Sequence, residues 1–419
     1  PGAEIARGPV VPGLTNAHSH SFQRAFAGRS ERRGHTRDSF WTWREQMYRF
    51  VERAGPEEIE QIASWLFCEL LERGFTSVVE FHYLHNQLDG TPYEQQDELG
   101  SRILAASEHT GIRLGLAPVL YTYAGFDREP LAGAQRRFGH QPESFCELTE
   151  SLQQRINNSA QAHLLLAGHS LRAVDAEGWE CLERLRHVHS PQPVLHVHVA
   201  EQTREVDECC ALLGARPVEW LLNRCNVDAK WCLVHATHVD DRELAAIART
   251  GATVCICPTT EANLGDGIFP ASAFLQQGGI LAIGTDSHVG RSPGEELRLL
   301  ELAQRLTKRE RVVLSRSVNG SCGQELFQRA VSGGAAAAGL PEPLTAGSGA
   351  DVVVLDGAAD ALVAHDEDTW LDAWIFGSND DPIRDVMVGG RWVVRDGRHP
   401  RRDALREAYV RAVRHVLHA

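Results

Sequence analysis

A chain of 419 residues with 43% hydrophobic and 23% charged side chains is long enough to bury a large core, and that balance excludes the disordered and fibrous classes. A formal net charge of −14 argues against nucleic acid or an anionic membrane surface as partner and leaves a small molecule as the expected one. Ten cysteines without framework spacing or a C-x-x-C pair point to reduced thiols and a cytoplasmic setting, and no apolar run approaches the length of a membrane span.

Val10 to Ala17 reads as a short apolar strand, broken by Pro12-Gly13 and ending at His18-Ser19-His20. The abrupt opening, without the charged and then apolar pattern of a signal sequence, leads to the expectation that a preceding segment is missing. A polar, arginine-rich loop, Arg24 to Arg37, precedes the aromatic stretch Phe40-Trp41-Thr42-Trp43-Arg44. Pro56 to Arg73 is expected to be an amphipathic helix, with a proline at its start, acids in its first turn and Gly74 as its stop.

Phe75 to Phe81 is an apolar strand that delivers His82, Tyr83 and His85 to its end, and this helix-then-strand unit recurs. Helical stretches at 99–109, 147–157, 176–187, 205–225 and 241–250 alternate with apolar strands at 113–120, 163–166, 194–199, 231–235, 253–258 and 281–286. Such alternation implies a parallel sheet covered on both faces, and eight strands close a (β/α)8 TIM barrel. A final helix at 325–338 ends at Gly339-Leu340-Pro341, after which Asp351–Leu355 and Asp385–Val394 read as strands, the latter folded at Gly389-Gly390 like a hairpin. The expected boundaries are a barrel over 13–340, a small β-sandwich over 1–12 and 341–400, and a closing helix over 401–419. Too few strands remain for that sandwich, so some N-terminal strands are expected to be lacking.

Residues alternate sides along a strand, so His18 and His20 point the same way. Taken alone, the pair fits surface or packing histidines as well as metal ligands. In a barrel, however, functional residues gather at the C-terminal strand ends, and there stand His18, His20, His198, Glu201, His235 and Asp286. Two histidines from the first strand, one from the fifth and an aspartate from the eighth suit zinc or another divalent transition metal. Glu201, three residues after His198, is a candidate proton carrier, and His235 a candidate partner of the attacking water.

This order, His-x-His, His-x-x-Glu, His, Asp, resembles the amidohydrolase superfamily. Carried onto this sequence, the resemblance implies His18, His20, His198 and Asp286 as metal ligands, Glu201 and Asp286 as proton carriers, and His235 as a polariser of water or substrate. Two-metal members bridge their metals with a carboxylated lysine on the fourth strand. This chain has only Lys230 and Lys308, neither placed there, so the resemblance implies one metal, expected to be Zn2+, and the deaminase-like branch.

The stretches Pro12 to His20, Phe22-Gln23-Arg24, Trp41 to Arg44, Glu80 to His85, His169 to Val174 and Gly284 to His288 are together similar to the formimidoylglutamate deiminases. That likeness implies hydrolysis of N-formimino-L-glutamate, with Gln23, Arg44, Tyr83, His169 and Arg172 lining the substrate site. Guanidinium pairs with carboxylate in two-pronged geometry, which suits a substrate with two carboxylates. The chain departs from the pattern where Ala167-Gly168, not a proline, precede His169. The likeness also implies a homodimer, and the aromatic residues Trp41, Trp43 and Tyr48 suggest an interface through which Arg44 reaches a neighbouring subunit. The competing expectations are a deaminase of an aminopurine such as guanine, whose pocket would favour aromatic and amide contacts over two arginines, and a catalytically silent barrel, which would have lost ligands.

Overall fold

The structure is a computed structural model that describes residues 6–32, 40–346 and 348–418; the 33–37 part of the expected arginine-rich loop and the first five residues of the expected small domain lie outside it. Its strands in chain order are β1 Val10–Pro12, β2 Leu14–Ser19, β3 Phe75–His82, β4 Arg113–Leu120, β5 Ala162–Leu164, β6 Leu166–Gly168, β7 Leu195–Val199, β8 Trp231–His235, β9 Thr253–Ile256, β10 Ile280–Ile283, β11 Val352–Leu355, β12 Ile383–Val388 and β13 Arg391–Val394.

Strands β2 to β10 form a parallel sheet in the order β10-β9-β8-β7-β6-β4-β3-β2, with β5 paired to β4. The fourth stave of the barrel is therefore two short pieces. Leu165 gives its N–H to Leu116 while Leu166 gives its own to Val194, so the chain crosses from one neighbour to the other at that point. The run Leu164-Leu165-Leu166 reads as one strand because all three side chains are buried, whichever neighbour is paired.

Closure between the first and last staves is not a regular ladder. It consists of a bridge between Ser19 and Asp286, the N–H groups of Thr285 and Asp286 on the His18 carbonyl, and the Asn16 side chain bonded to Thr285. The helix Cys322–Ala338 covers this junction. Its small residues are a packing requirement, since a Cβ at Gly333 would come within 1.9 Å of the Leu281 carbonyl oxygen. The alanine run 335–338 thus belongs to a helix face pressed against the sheet.

The apolar strand interiors and the inward faces of the surrounding helices make one continuous core. Two expected elements differ. The stretch 205–225 is two helices, Thr203–Leu213 and Pro217–Arg224, because Gly214 ends the first and Pro217 begins the second. The aromatic stretch forms a helix, Phe40–Val51.

Where a β-sandwich is expected, the described residues form a single antiparallel sheet in the order β1-β11-β12-β13. The β12–β13 turn is Gly389-Gly390, both at positive φ as a two-residue hairpin requires. The closing helix, Arg402–His418, packs on the helix Pro56–Glu72 through Trp65, Leu405 and Tyr409. No described helix is long and apolar enough to cross a membrane.

Candidate active site

The six residues expected at the strand ends meet in one place, all buried. His18 and His20 come from β2 and its end, His198 from β7, Glu201 just beyond it, His235 from β8, and Asp286 three residues after β10. Side chains of a barrel point alternately inward and outward, so the two-residue spacing of His-x-His at the end of β2 turns both rings to the axis.

The imidazoles carry a legible proton pattern. His20 Nδ1 faces the Phe81 carbonyl at 2.9 Å and His198 Nδ1 faces the His169 carbonyl at 3.0 Å. A carbonyl only accepts, so each Nδ1 holds the ring proton and each Nε2 is a bare lone pair. Both lone pairs are aimed at one point, for His18 Nε2 stands 3.1 Å from His20 Nε2 and 3.0 Å from His198 Nε2. Asp286 Oδ1 lies 3.3 Å from His20 Nε2 and 3.7 Å from His18 Nε2. Burial foremost, with mutual repulsion, keeps His18 and His198 well below the usual histidine range, so the rings are neutral as ligands must be. Converging lone pairs beside a carboxylate, with no proton to share between His20 and His198, fit a divalent cation held by His18, His20, His198 and Asp286.

Glu80, near the end of β3, braces the segment that carries His18 and His20 by accepting the Ser19 hydroxyl at 2.6 Å and the Ser21 N–H and hydroxyl at 2.7 Å each. On the other side, His235 sits 3.9 Å from Glu201 Oε1 and 3.7 Å from Asp286 Oδ2 through Nε2, while its Nδ1 faces Glu261 at 3.1 Å. Burial alone would lower this imidazole, but Glu201, Glu261 and Asp286 outweigh it and raise the ring to about 10. Ala200, His235, Ala236 and Asp286, at the ends of β7, β8 and β10, all have positive φ, and such strain marks a functional rim.

Above the cluster opens a pocket, and all five expected substrate residues line it: Gln23, Arg44, Tyr83, His169 and Arg172. Gln23 donates to the Tyr83 hydroxyl at 2.9 Å, and its own amide oxygen has no partner. Arg44 donates to the Tyr48 hydroxyl. Arg172 is 5% exposed and its Nε has no hydrogen-bond partner, while its charge acts on the buried Glu205 carboxylate.

The helix Phe40–Val51 lies over this pocket and contributes Phe40, Trp43, Arg44, Met47 and Tyr48 to its wall. Arg44 lines its own chain's pocket, and Trp43 and Tyr48, two of the three aromatic residues that suggested an interface, pack against the core. Trp41 gathers cations: the guanidiniums of Arg204, Arg44 and Arg172 stand 4.4, 5.3 and 5.7 Å from its ring centre. His82 and His85 do not enter the pocket; they meet edge to face, and His85 bonds the Val119 carbonyl. Lys230 and Lys308 are remote from it, at the start of β8 and the end of the helix Pro293–Lys308.

Tyr121, Phe138 and Leu264 also line the pocket, and Glu261, which also accepts the Cys257 N–H at 2.9 Å, stands behind His235. None of these is evident from spacing. Glu261 does leave one signal, as the only charged residue between Thr253 and Leu264.

The amidohydrolase family model matches residues 10–393. The chain belongs to the amidohydrolase family. Among curated members, it is 49% identical to the formimidoylglutamate deiminase of Pseudomonas aeruginosa over 99% of this chain and 91% of that one. It is 28% identical to the 5-methylthioadenosine/S-adenosylhomocysteine deaminase of Natronomonas pharaonis, over 92% and 81% of the two chains. The crystal structure of an amidohydrolase from Brucella melitensis superimposes with a TM-score of 0.93 at 45% identity, covering 97% of this chain and 90% of that one. The amidohydrolase family is metal-dependent, and the histidines and aspartate described above are candidates to hold the metal.

Proposed function

We propose that this amidohydrolase hydrolyses N-formimino-L-glutamate to N-formyl-L-glutamate and ammonia, with one zinc ion held by His18, His20, His198 and Asp286. The observation that carries the reading is the pairing of two guanidiniums, Arg44 and Arg172, with the histidine cluster in one pocket. Identity of 49% to an enzyme of that name supports it.

Zinc in this site supplies Lewis-acid activation of a water molecule. The protein's residues do the rest. Arg172 and Arg44 take the substrate carboxylates, while Gln23, Tyr83 and His169 complete the polar wall that sets the formimino carbon beside Asp286 and Glu201. Asp286 accepts a proton from the attacking water. Oxygen bonds to the formimino carbon as the C=N π bond opens onto nitrogen, which takes a proton from Glu201; Asp286 then gives that nitrogen the proton it took from the water, and Glu201 removes the hydroxyl proton as the C=O forms, the C–N bond breaks and ammonia leaves. His235, held by Glu261, donates from Nε2 toward the developing negative oxygen. The remote carboxylates never react, so their binding energy serves orientation.

The same reading takes the chain as a cytoplasmic homodimer. Ten unpaired cysteines support the compartment, and sedimentation at micromolar concentration checks the assembly. The substrate is tested by ammonia release from N-formimino-L-glutamate beside guanine, cytosine and adenosine. Turnover of the formimino acid is expected; good turnover of a nucleobase without it would remove the deiminase assignment.

A further inference from the structure

Glu205 has no part in the chemistry above, yet it is one of the most buried acids in the chain, 1% exposed in the first turn of the helix Thr203–Leu213. Its Oε1 accepts the Ala200 N–H at 3.1 Å and its Oε2 the Glu201 N–H at 3.1 Å. An ordinary helix cap from this position reaches back to the residue just before the helix, here Gln202. Glu205 passes over Gln202 and takes hold of the two residues that join strand to helix.

Those two residues need holding. Ala200 is at φ +51°, a region that side-chain-bearing residues avoid unless the surroundings enforce it. The turn it makes carries the backbone off β7 and lets the Glu201 side chain face His235 across the pocket floor. Burial raises the Glu205 carboxyl and Arg172 pulls it back down, so this side chain also faces the guanidinium assigned to the substrate.

We propose that Glu205 is a positioning residue for the deimination, clamping the Ala200–Glu201 turn through both backbone N–H groups so that Glu201 is presented to the departing nitrogen. This rests on the reading in which Glu201 carries that proton.

The test compares Glu205→Gln and Glu205→Ala in the zinc-loaded full chain. A glutamine keeps one acceptor oxygen and turns an NH2 toward the other amide, so kcat should fall about tenfold, and roughly a hundredfold in Glu205→Ala, where the turn is released. KM should hold or fall, because removing a carboxylate beside Arg172 strengthens its pull on an anion. In a Glu201→Gln background, Glu205→Gln should cost nothing further, since the group it positions is already disabled. A merely structural role would instead raise KM and add its loss to that of Glu201→Gln, and either result overturns the proposal.

A crystal structure of Glu205→Ala, with zinc content measured on the same sample, decides the point without any substrate. Ala200 should leave positive φ and the Glu201 carboxylate should leave the pocket while the zinc stays. An unmoved Glu201 would sink the clamp. If the unaltered enzyme releases no ammonia from the formimino acid, the substrate reading fails on its own, and this structure still rules on Glu205.

Discussion

Arg172→Met should move activity and stability in opposite directions. The guanidinium is buried. A buried cation whose Nε is unpartnered is a cost to the folded state that the Glu205 carboxylate and the Trp41 ring only partly offset, and methionine fills similar space without it. Two charge-assisted hydrogen bonds to a substrate carboxylate contribute about 1.5 kcal/mol each, so their loss amounts to about 3 kcal/mol, or roughly a hundredfold in kcat/KM. The Tm of the variant without ligand should therefore hold or rise, while kcat/KM for N-formimino-L-glutamate falls by that factor and zinc content is unchanged. Ammonia release read through a coupled dehydrogenase, beside a thermal melt with and without dicarboxylate, measures both quantities. A variant that keeps kcat/KM within about threefold, on the scale of less than 1 kcal/mol, would refute the assignment of Arg172 to a carboxylate. A sharply lowered Tm would show instead that the arginine is structural.

Glu201→Gln, nearly isosteric, should keep zinc and fold and lose roughly a hundredfold in turnover, and near-normal turnover would end its role as proton carrier. Gly284→Ala should lower zinc content and activity together, read by elemental analysis, because a Cβ there would lie 2.8 Å from His18 Cβ and 2.9 Å from the His18 backbone N and O. Burial would raise the Glu325 carboxyl, but the N–H groups of Arg316 and Ser317 and the hydroxyls of Ser317 and Ser315 bring it down to about 2. A lowered carboxyl stabilises above its ordinary range of about 4 and loses that contribution as the pH falls through about 2. Glu325→Gln should accordingly lower Tm at neutral pH, with the gap to the parent closing toward pH 2; a gap independent of pH would contradict the sign.

His18, His20, His198 and Asp286 were legible because strand periodicity and barrel topology between them dictate where strand-end residues go. Gln23, Arg44, Tyr83, His169 and Arg172 were legible through likeness to a family, not through spacing. Glu205 and Glu261 were not, since an acid's meaning depends on which N–H or imidazole the fold brings to it. The helix Phe40–Val51 does carry a helical spacing, exposed Glu45, Gln46 and Arg49 set against buried Met47, Phe50 and Val51, so it was legible in the sequence behind its aromatic start. The two-helix break at Gly214 and Pro217 was written in the sequence, but the apolar spacing on either side reads through it.

The irregular closure between the first and last staves has a consequence for how the site comes into being. Asn16 and Thr285, which lock that seam, are 269 residues apart, and the cation's donors lie on both sides of it. Contacts at such separation form late, after most of the loop-closure entropy has been met by the intervening sheet. The donor set is therefore complete only once Asp286 has joined the seam, and a metal met before that finds histidines alone. Once both sides are joined, a cation bound to the closed form alone acts as a clasp, holding the barrel shut by mass action.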